Sequence, residues 1–486
     1  MKQLTGLDAG FLYMESSTSF GHVSSLIVYE RPDDPDFRPY DAFRKQIEDR
    51  LHLLEPLRRR LVEVPFQLDH PYWINDPDFE LDFHVRHIAI PAPGDMVQLS
   101  EQVARIIGRP CDRNRPLWEA YVLEGLENDD FAILTKVHHA TIDGASGVQF
   151  LNMILDSDPA GDPIPEDDGS WKADQLPTDL DMLGRTAVSF VKKPGRFARA
   201  QLNTMQQLAE ITRNKGASAY IDTVRDQLPP ALGGRNRADG ETSSGLSAPS
   251  TPFNQPISAQ RRLAMRSTPL ADVKALKSEL GATVNDIVMA VCAGALRNYL
   301  ESHDALPDRP LRTMVPVSIR SGDEADPWTN RVSSLFVDLP THIADPLERV
   351  AAVHESMVAA KEQMELVPAE AIVDAAEFAL PAITSQASRA AGLLARRGTV
   401  PVNVVISNVP GPRTPLYMGG ARMRHFYPVS TIAPGVGLNI TVQSYLDTLD
   451  FGLVACRELA PDLDHLMDLH IEEIDTLFAA AGITRP

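Results

Sequence analysis

The stretch ILTKVHHATIDGASGVQF, residues 133–150, decides the fold. Its first half is an apolar run that predicts a β-strand, and the apolar spacing from Ala145 onward predicts a helix. Two adjacent histidines, His138 and His139, stand at the end of the strand. Asp143 and Gly144 follow after three spacer residues. The stretch therefore predicts a chemical site at a strand-to-helix turn.

The two histidines are predicted to have different roles. Neighbouring side chains of a strand point to opposite faces, so His139 is in phase with Val137 and His138 with Leu134. Two imidazoles on opposite faces do not easily bind one metal ion, and we expect no metal site. A neutral imidazole, with an unperturbed pKa of about 6.5, is well suited to take a proton from a hydroxyl group. One histidine is therefore predicted to do chemistry and the other to support it.

Asp143 and Gly144 are predicted to shape the turn. Asp143 can fix the loop that holds the histidines through an ion pair or backbone hydrogen bonds, and Gly144 permits a tight approach before the helix. A purely structural interpretation is also open. Asp143 would serve as the N-cap of the following helix, and a histidine at a strand end is often a hydrogen-bonded core residue.

Composition limits the class of protein. The chain has 486 residues, with 43% hydrophobic and 23% charged residues, which predicts a globular protein of two domains. A net charge of −20 argues against a nucleic-acid partner. Cys111, Cys292 and Cys456 are scattered, which favours a reducing cytosol over a disulfide framework. The early charges Asp8 and Glu15 argue against a signal peptide, and the longest apolar run, Ile287–Leu296, is too short to span a bilayer. We expect any membrane contact to be peripheral.

Both halves of the chain mix strands with helices, which predicts an α/β fold of two comparable domains. The predicted helices are PYDAFRKQIEDRLHLL, MVQLSEQVARIIG, PLADVKALKSEL and TVNDIVMAVCAGALRNYL. The predicted strands are SSLIVYE, FAILTKVHH, LRTMVPVSI, SSLFVDLP, VNVVISNVPGP, GLNITVQSYLD and TLDFGLVACRE. We place an N-terminal domain at 1–180, a helical linker with a Gly/Ser/Pro-rich loop at 181–252, and a C-terminal domain at 253–486.

The linker begins with a basic segment, residues 181–216. It has seven Lys or Arg residues against two acidic ones, so the local charge is 7 − 2 = +5. Its apolar residues recur at helical intervals. The segment is either a pair of linker helices with a solvated basic face or an amphipathic surface that rests on anionic lipid.

Three further blocks are candidates for the site. Pro116, Leu117 and Trp118 precede a strand, and Trp118 could either pack under the histidine-bearing sheet or line a substrate channel. Thr283 and Asp286 have capping-box spacing, which leaves Asn285 at the positive end of a helix, where it could hold the histidine loop or an oxyanion. The segment 408–412, NVPGP, has turn chemistry.

These blocks resemble a known family. HHATIDG, from His138, fits the HHxxxDG signature of the CoA-dependent acyltransferase superfamily. RPLWEAYVLEGL, GATVNDIVMAVCAGALRNYL and VISNVPGPRTPLY look like the PLW, ND and NVPGP blocks of bacterial wax ester synthase/diacylglycerol acyltransferases. The opening LTGLDAGFLYME is similar to that family's N-terminus, and DFGLV, residues 450–454, is weakly similar to a structural block of plant relatives.

The resemblance implies two chloramphenicol-acetyltransferase-like domains with an active-site tunnel between them. It implies His139 as general base, with His138, Asp143 and Gly144 as supporting residues. The implied substrate-binding or second-domain groups are Asn285, Asp286, Pro116, Leu117 and Trp118. Long-chain acyl-CoA would be a co-substrate, with no cofactor. The expected acceptor is diacylglycerol, and a long-chain fatty alcohol is the alternative.

Other readings of the same sequence remain open. The chain could take acyl groups from a carrier protein, or it could be a non-catalytic lipid-binding protein. A peripheral membrane or lipid-droplet surface is a further expected partner.

Overall fold

The computed structural model describes residues 1–142, 150–189, 248–318, 332–365 and 400–486. The helices of these ranges are α1 Gly6–Tyr13, α2 Pro39–Arg50, α3 Leu81–His84, α4 Met96–Ile107, α5 Leu270–Leu280, α6 Val284–Ser302, α7 Pro346–Glu365 and α8 Leu463–Ala481. Residues 150–154 and 179–189 are also helical. The strands are β1 Lys2–Gln3, β2 His22–Glu30, β3 Arg59–Val62, β4 Tyr72–Asn75, β5 Val85–Ala89, β6 Trp118–Glu124, β7 Phe131–His138, β8 Arg261–Pro269, β9 Leu311–Ser318, β10 Val332–Leu339, β11 Val404–Val409, β12 Tyr417–Met418, β13 Ala421–Val429, β14 Leu438–Tyr445 and β15 Thr448–Cys456.

Local signals set the ends of several helices. The side chain of Asp95 caps α4 by accepting a hydrogen bond from the backbone of Gln98 at 2.8 Å. Helix α5 ends at Gly281, whose φ of 61° lies in the left-handed region that glycine adopts without strain. The four helices and seven strands given by sequence above are confirmed to within a few residues at their ends, and the helix predicted from Ala145 begins outside the described residues. Helices α1, α3, α7 and α8 were not predicted, nor were strands β1, β3, β4, β5, β8, β12 and β13.

The histidine-bearing strand β7 lies inside a six-stranded sheet of order β12-β13-β2-β7-β6-β5. Strand β2 pairs with β7 in antiparallel register, which places His22 opposite His138. Strand β6 pairs with the other edge of β7, and Trp118 lies opposite Val137. We call this sheet the N-terminal sheet.

A second sheet of order β10-β9-β11-β14-β15-β8 forms the C-terminal half. Strand β11 runs parallel to both β9 and β14, and the other pairings are antiparallel. Helices α6, α7 and α8 cover one face of this C-terminal sheet and bury a continuous apolar core. The mixed α/β class is therefore confirmed.

Strand β13 connects the two halves. It follows β11 in the chain, yet it pairs with β2 of the N-terminal sheet. Asp450 of β15 holds it there by accepting a hydrogen bond from the backbone of Phe426 at 2.7 Å. Gly452 allows a close approach, because a Cβ atom at this position would lie 1.8 Å from the carbonyl oxygen of Pro428. The DFG block thus has a structural explanation, and the N-terminal sheet contains strands from beyond residue 252.

A shared core lies between the two sheets. Leu134 of β7 packs in one cluster with Leu99 and Val103 of α4 and with Leu263 and Met265 of β8. Full burial of such a side chain contributes about 1.5–3 kcal/mol. The even-numbered face of β7 is therefore covered by α4 and by the C-terminal half.

Among the described residues, no individual helix has both the length and the apolarity to cross a bilayer. Helices α5 and α6 meet the requirement only when taken together, and they are bent by 101° with respect to each other.

Candidate active site

The histidine pair lies where β7 ends and a turn begins. The backbone N–H of His138 donates to the carbonyl of Leu117 at 2.9 Å, and that of His139 donates to Gly21 at 2.8 Å. The N–H of Thr141 closes the turn on the carbonyl of His138 at 2.8 Å. The residues directly before β6 and β2 therefore fix the backbone of both histidines.

His138 is enclosed by protein groups. Its side chain is 1% exposed, and its Nδ1 accepts a hydrogen bond from the backbone N–H of Ala140 at 3.0 Å. An Nδ1 that accepts a hydrogen bond carries no proton, so the proton of the ring is on Nε2. Nε2 faces Oε1 of Glu15 at 3.3 Å. Neither nitrogen has a lone pair directed at a substrate, so His138 is poorly placed to act as a base.

Glu15 is a buried carboxylate that the sequence did not single out for the site. Burial by itself would raise its pKa, but the contact with His138, the N–H of Gly21 and the guanidinium of Arg113 together lower the pKa to about 2. The Gly21 N–H donates to Oε1 at 2.8 Å, and Arg113 Nη2 donates to Oε2 at 2.7 Å. Glu15 therefore stays ionised throughout the neutral pH range.

His139 differs from His138 in both exposure and contacts. Its side chain is partly exposed. Its ring stacks on Phe11 of α1, with centroids 4.2 Å apart and planes within 3° of parallel. Stacking fixes the plane of the imidazole while its edge nitrogens stay in that plane. Of the two histidines, His139 has the environment that suits a proton acceptor.

Gly21 makes the close packing around the pair possible. A Cβ atom on Gly21 would lie 2.6 Å from Nε2 of His138 and 2.9 Å from the carbonyl oxygen of Phe11. Both distances are far below an ordinary van der Waals contact. A glycine is therefore required between α1 and the buried imidazole.

Behind the pair lies a row of buried polar groups. His22 is hydrogen-bonded through Nε2 to the carbonyl of Ile107 at 3.0 Å. Burial lowers the pKa of His22 well below its usual value, and the charge of Lys136 lowers it further. Lys136 is 1% exposed and donates to Glu119 at 3.1 Å. His22 is therefore a neutral, structural histidine.

The C-terminal half reaches the site at the end of β13. Thr431 donates to the carbonyl of Phe20 at 2.7 Å, directly before Gly21. Ser19 donates to the carbonyl of Ile432 at 3.4 Å, and Arg261 donates to the carbonyl of Thr18 at 2.6 Å. The segment 18–21 that supports the histidines is therefore held by both halves of the protein.

The PLW block packs beneath the site. Pro116 is buried, and Leu117 is 1% exposed in a cluster that also contains Ala140 and Leu12. Trp118 is 3% exposed, its Nε1 donates to the carbonyl of Leu57 at 2.8 Å, and its ring stacks on His84 at 4.5 Å. These contacts agree with packing under the sheet, whereas a role in lining a channel stays a prediction.

The ND block is positioned within the C-terminal half. The predicted capping box of Thr283 and Asp286 is confirmed at the start of α6. Burial would raise the pKa of Asp286, but hydrogen bonds from His354 and Thr283 lower it instead. Asn285 accepts a hydrogen bond from Asn408 at 3.5 Å, which joins the ND block to the NVPGP block. That Asn285 supports the histidine loop or an oxyanion stays a prediction.

Two sequence predictions lie outside the described residues. Asp143 and Gly144 belong to 143–149, and most of the basic segment 181–216 belongs to 190–247. The roles predicted for them stay predictions. The residues that sequence reasoning missed are Phe11, Glu15, Gly21 and Thr431. The first two lie inside LTGLDAGFLYME, a block that was noted only as a resemblance.

Two family models match most of this chain. The model of the wax ester synthase/diacylglycerol acyltransferase catalytic domain matches residues 4–288, and that of the corresponding C-terminal domain matches residues 328–477. The chain belongs to the wax ester synthase/diacylglycerol acyltransferase family. A Mycobacterium tuberculosis member, named a probable diacylglycerol O-acyltransferase, is 35% identical over 98% of this chain and 98% of its own length.

Two solved structures are similar in fold to this chain. The wax ester synthase/diacylglycerol acyltransferase from Marinobacter aquaeolei VT8 superposes with a TM-score of 0.70 at 28% identity, covering 99% of this chain and 100% of its own. The first condensation domain of the calcium-dependent antibiotic synthetase has a TM-score of 0.56 at 15% identity, covering 100% of this chain and 98% of its own. The latter likeness shows the two-domain fold alone.

Proposed function

We propose that this protein is a diacylglycerol O-acyltransferase that uses long-chain acyl-CoA and forms triacylglycerol. Its family and the name of its mycobacterial relative support acyl transfer to diacylglycerol. The observation that carries the proposal is the difference in exposure between the two histidines: the side chain of His138 is 1% exposed, while that of His139 is partly exposed at the same turn.

The proposed mechanism uses His139 as a general base. Nε2 of His139 accepts the proton of the acceptor hydroxyl while that oxygen attacks the thioester carbonyl. The new C–O ester bond forms and the C–S bond breaks, and the imidazolium returns the proton to the departing thiolate of CoA. A thioester is already activated, so the reaction needs neither an acyl-enzyme nor a cofactor.

The two halves of the protein provide the frame for this reaction. A tunnel between them would admit CoA from one side and the lipid alcohol from the other, which would hold both in attack geometry. The contact of Thr431 with Phe20 supports a site at this junction. It joins the residues after β13 to the segment 18–21, whose Gly21 contacts both histidines. Asn285 is proposed to act from the second half as a supporting group.

A long-chain fatty alcohol is the second candidate acceptor. The Marinobacter protein that this chain resembles is named for both wax ester synthesis and diacylglycerol acylation. Long-chain acyl-CoA and a lipid acceptor are therefore the proposed partners. A peripheral position in the cytoplasm, at a membrane face or a lipid droplet, would bring the protein to such substrates.

The test is turnover by the purified protein. Palmitoyl-CoA is offered with diolein or hexadecanol in parallel, CoA thiol release is followed, and the products are separated by chromatography. With diolein, the expected products are free CoA and a triacylglycerol that carries two oleoyl chains and one palmitoyl chain. Transfer only to a carrier-bound acceptor, or lipid binding without CoA release, would contradict the proposal.

Replacing His139 by Ala should lower kcat by about 100- to 10,000-fold, because general-base catalysis contributes that much. Folding should be retained, since the side chain is not part of the buried core. Replacing the exposed Phe336 by Ala, on β10 at the edge of the C-terminal sheet, provides a surface control. Near-normal turnover in the His139 variant would contradict the mechanism.

A further inference from the structure

One segment of the chain contacts both histidines. Phe11 lies in α1 and stacks on His139, and Glu15 lies just beyond the end of α1 and faces His138. Two side chains four residues apart thus set the plane of one imidazole and the electrostatic environment of the other. The proposed reaction uses neither side chain directly.

Glu15 joins three chain segments through one carboxylate. Its Oε1 lies 3.3 Å from Nε2 of His138 and accepts the N–H of Gly21 at 2.8 Å. Gly21 in turn accepts the N–H of His139 at 2.8 Å. A shift of Glu15 would therefore disturb His138 through its ring and His139 through its backbone.

Arg113 fixes the carboxylate from its other side. Nη2 and Nε of Arg113 both donate to Oε2 of Glu15, at 2.7 and 3.2 Å, and these charge-assisted bonds leave Oε1 for Gly21 and His138. Nη2 also donates to the carbonyl of Leu12 at 3.0 Å, which ties the guanidinium to the end of α1. The outer nitrogen, Nη1, pairs with Glu63 at 2.6 Å near the surface.

These contacts allow His138 only one tautomer. Ala140 donates to Nδ1, so the proton must be on Nε2, and only an acceptor suits the position opposite Nε2. An ionised carboxylate meets this need. The His138 ring also fixes the chain directly after His139, because its Nδ1 accepts the N–H of Ala140.

We propose that Glu15 and Arg113 are positioning residues for acyl transfer, which hold His138 in its Nε2–H state and thereby place the turn that carries His139. The proposal rests on the proposed function. Neither residue contacts a reacting atom in this arrangement. Their contribution should therefore be seen in kcat rather than in the KM for acyl-CoA.

Paired variants show whether Glu15 acts as a hydrogen-bond acceptor or only by filling space. Glu15→Gln keeps an oxygen acceptor for His138 and Gly21, but its amide N–H groups oppose the guanidinium of Arg113. Adding Arg113→Met removes that opposition. Glu15→Leu removes the acceptor altogether, and Arg113→Met cannot replace it.

The experiment measures kcat and KM for palmitoyl-CoA with diolein, together with the thermal unfolding midpoint. Glu15→Leu should lower kcat by about 100-fold with KM within twofold, because a displacement near 1 Å has this effect on a catalytic group. The Glu15→Gln/Arg113→Met double variant should recover at least tenfold over Glu15→Gln alone, whereas Glu15→Leu/Arg113→Met should recover nothing.

Glu63→Gln is the matched control, because it removes only the outer partner of Arg113 and should keep kcat within twofold. The positioning role is overturned if Glu15→Leu keeps the wild-type kcat or changes only the KM. It is also overturned if adding Arg113→Met restores the kcat of Glu15→Leu as fully as it restores that of Glu15→Gln. If Glu15→Leu fails to fold, the Glu15→Gln pair decides alone. A wild-type protein that releases no CoA with diolein would instead overturn the proposed function.

Discussion

Replacing Gly21 by Ala perturbs the histidine pair with a single methyl group. In the structure a Cβ atom at Gly21 would lie 2.6 Å from Nε2 and 2.9 Å from Cε1 of His138, and 2.9 Å from the carbonyl oxygen of Phe11. The backbone oxygen of Phe11 belongs to α1 and is not free to rotate away. The ring of His138 is held on its opposite side by the N–H of Ala140.

The size of the effect follows from these distances. To reach an ordinary contact of about 3.4 Å, the imidazole or the Gly21 backbone must shift by about 0.8 Å, and overpacking of this kind costs about 1–3 kcal/mol. A displacement of that order at a catalytic turn lowers turnover by about 100-fold. We therefore expect kcat to fall by one to two orders of magnitude and the protein to remain folded.

The assay is CoA release from palmitoyl-CoA with diolein, paired with thermal unfolding. Gly10→Ala is the control, since Gly10 lies in α1 of the same region and a Cβ atom there has nothing within 4 Å. That change should raise stability by about 0.5–1 kcal/mol and leave turnover unaltered. A Gly21→Ala protein with kcat within twofold of wild type would refute the packing argument.

Three further predictions concern stability and packing. The folded pKa of Glu15 is about 2 against an ordinary 4.5, so this group stabilises the protein above pH 4.5 and the contribution is lost as the pH falls toward 2. The difference in unfolding free energy between wild type and Glu15→Gln should therefore shrink by up to about 3 kcal/mol from pH 5 to pH 2, and urea titrations showing a constant difference would contradict it. Gly452→Ala should destabilise by about 3 kcal/mol or more, because its Cβ atom would lie 1.8 Å from the Pro428 oxygen; an unchanged unfolding midpoint would show that β13 and β15 separate easily. Trp118→Phe leaves the carbonyl of Leu57 without its donor and should cost about 1–3 kcal/mol while the KM for palmitoyl-CoA stays constant; a KM several-fold higher at equal stability would favour a channel-lining role.

Local chemistry explains which parts of the fold were predictable. The capping box of Thr283 and Asp286 spans three residues, and the stop at Gly281 depends on one residue, so both could be identified without tertiary information. Strand β13 was missed although Arg422 and Arg424 alternate with buried Ala421 and Met423, a pattern that a search for period-two alternation would find. Its partner, β2, lies near the other end of the chain, which no local pattern indicates.

The division of roles between the histidines shows the same limit. The HHxxxDG spacing is a local pattern, and it predicted where a site would lie. Which ring is buried depends on Glu15, Ala140 and Gly21, and the Arg113 that orients Glu15 is 98 residues away from it in the chain. The support predicted for Asn285 from the second half stays a prediction, and the contacts of the second half with the segment before His22, made by Thr431, Ile432 and Arg261, were not predicted.

By itself the sequence determined the α/β class, about half of the strands and helices and the family resemblance, and it predicted where a site would lie, because these depend on periodicity, caps and short motifs within a few residues. Only the tertiary structure decided that β13 completes the N-terminal sheet and that Phe11 of α1 and Glu15 just beyond it contact the two histidines. It also showed which imidazole is enclosed by protein groups. The physical reason is that burial, and the partner opposite a buried polar group, arise when distant strands pair and exclude water, and neither is a property of any single segment.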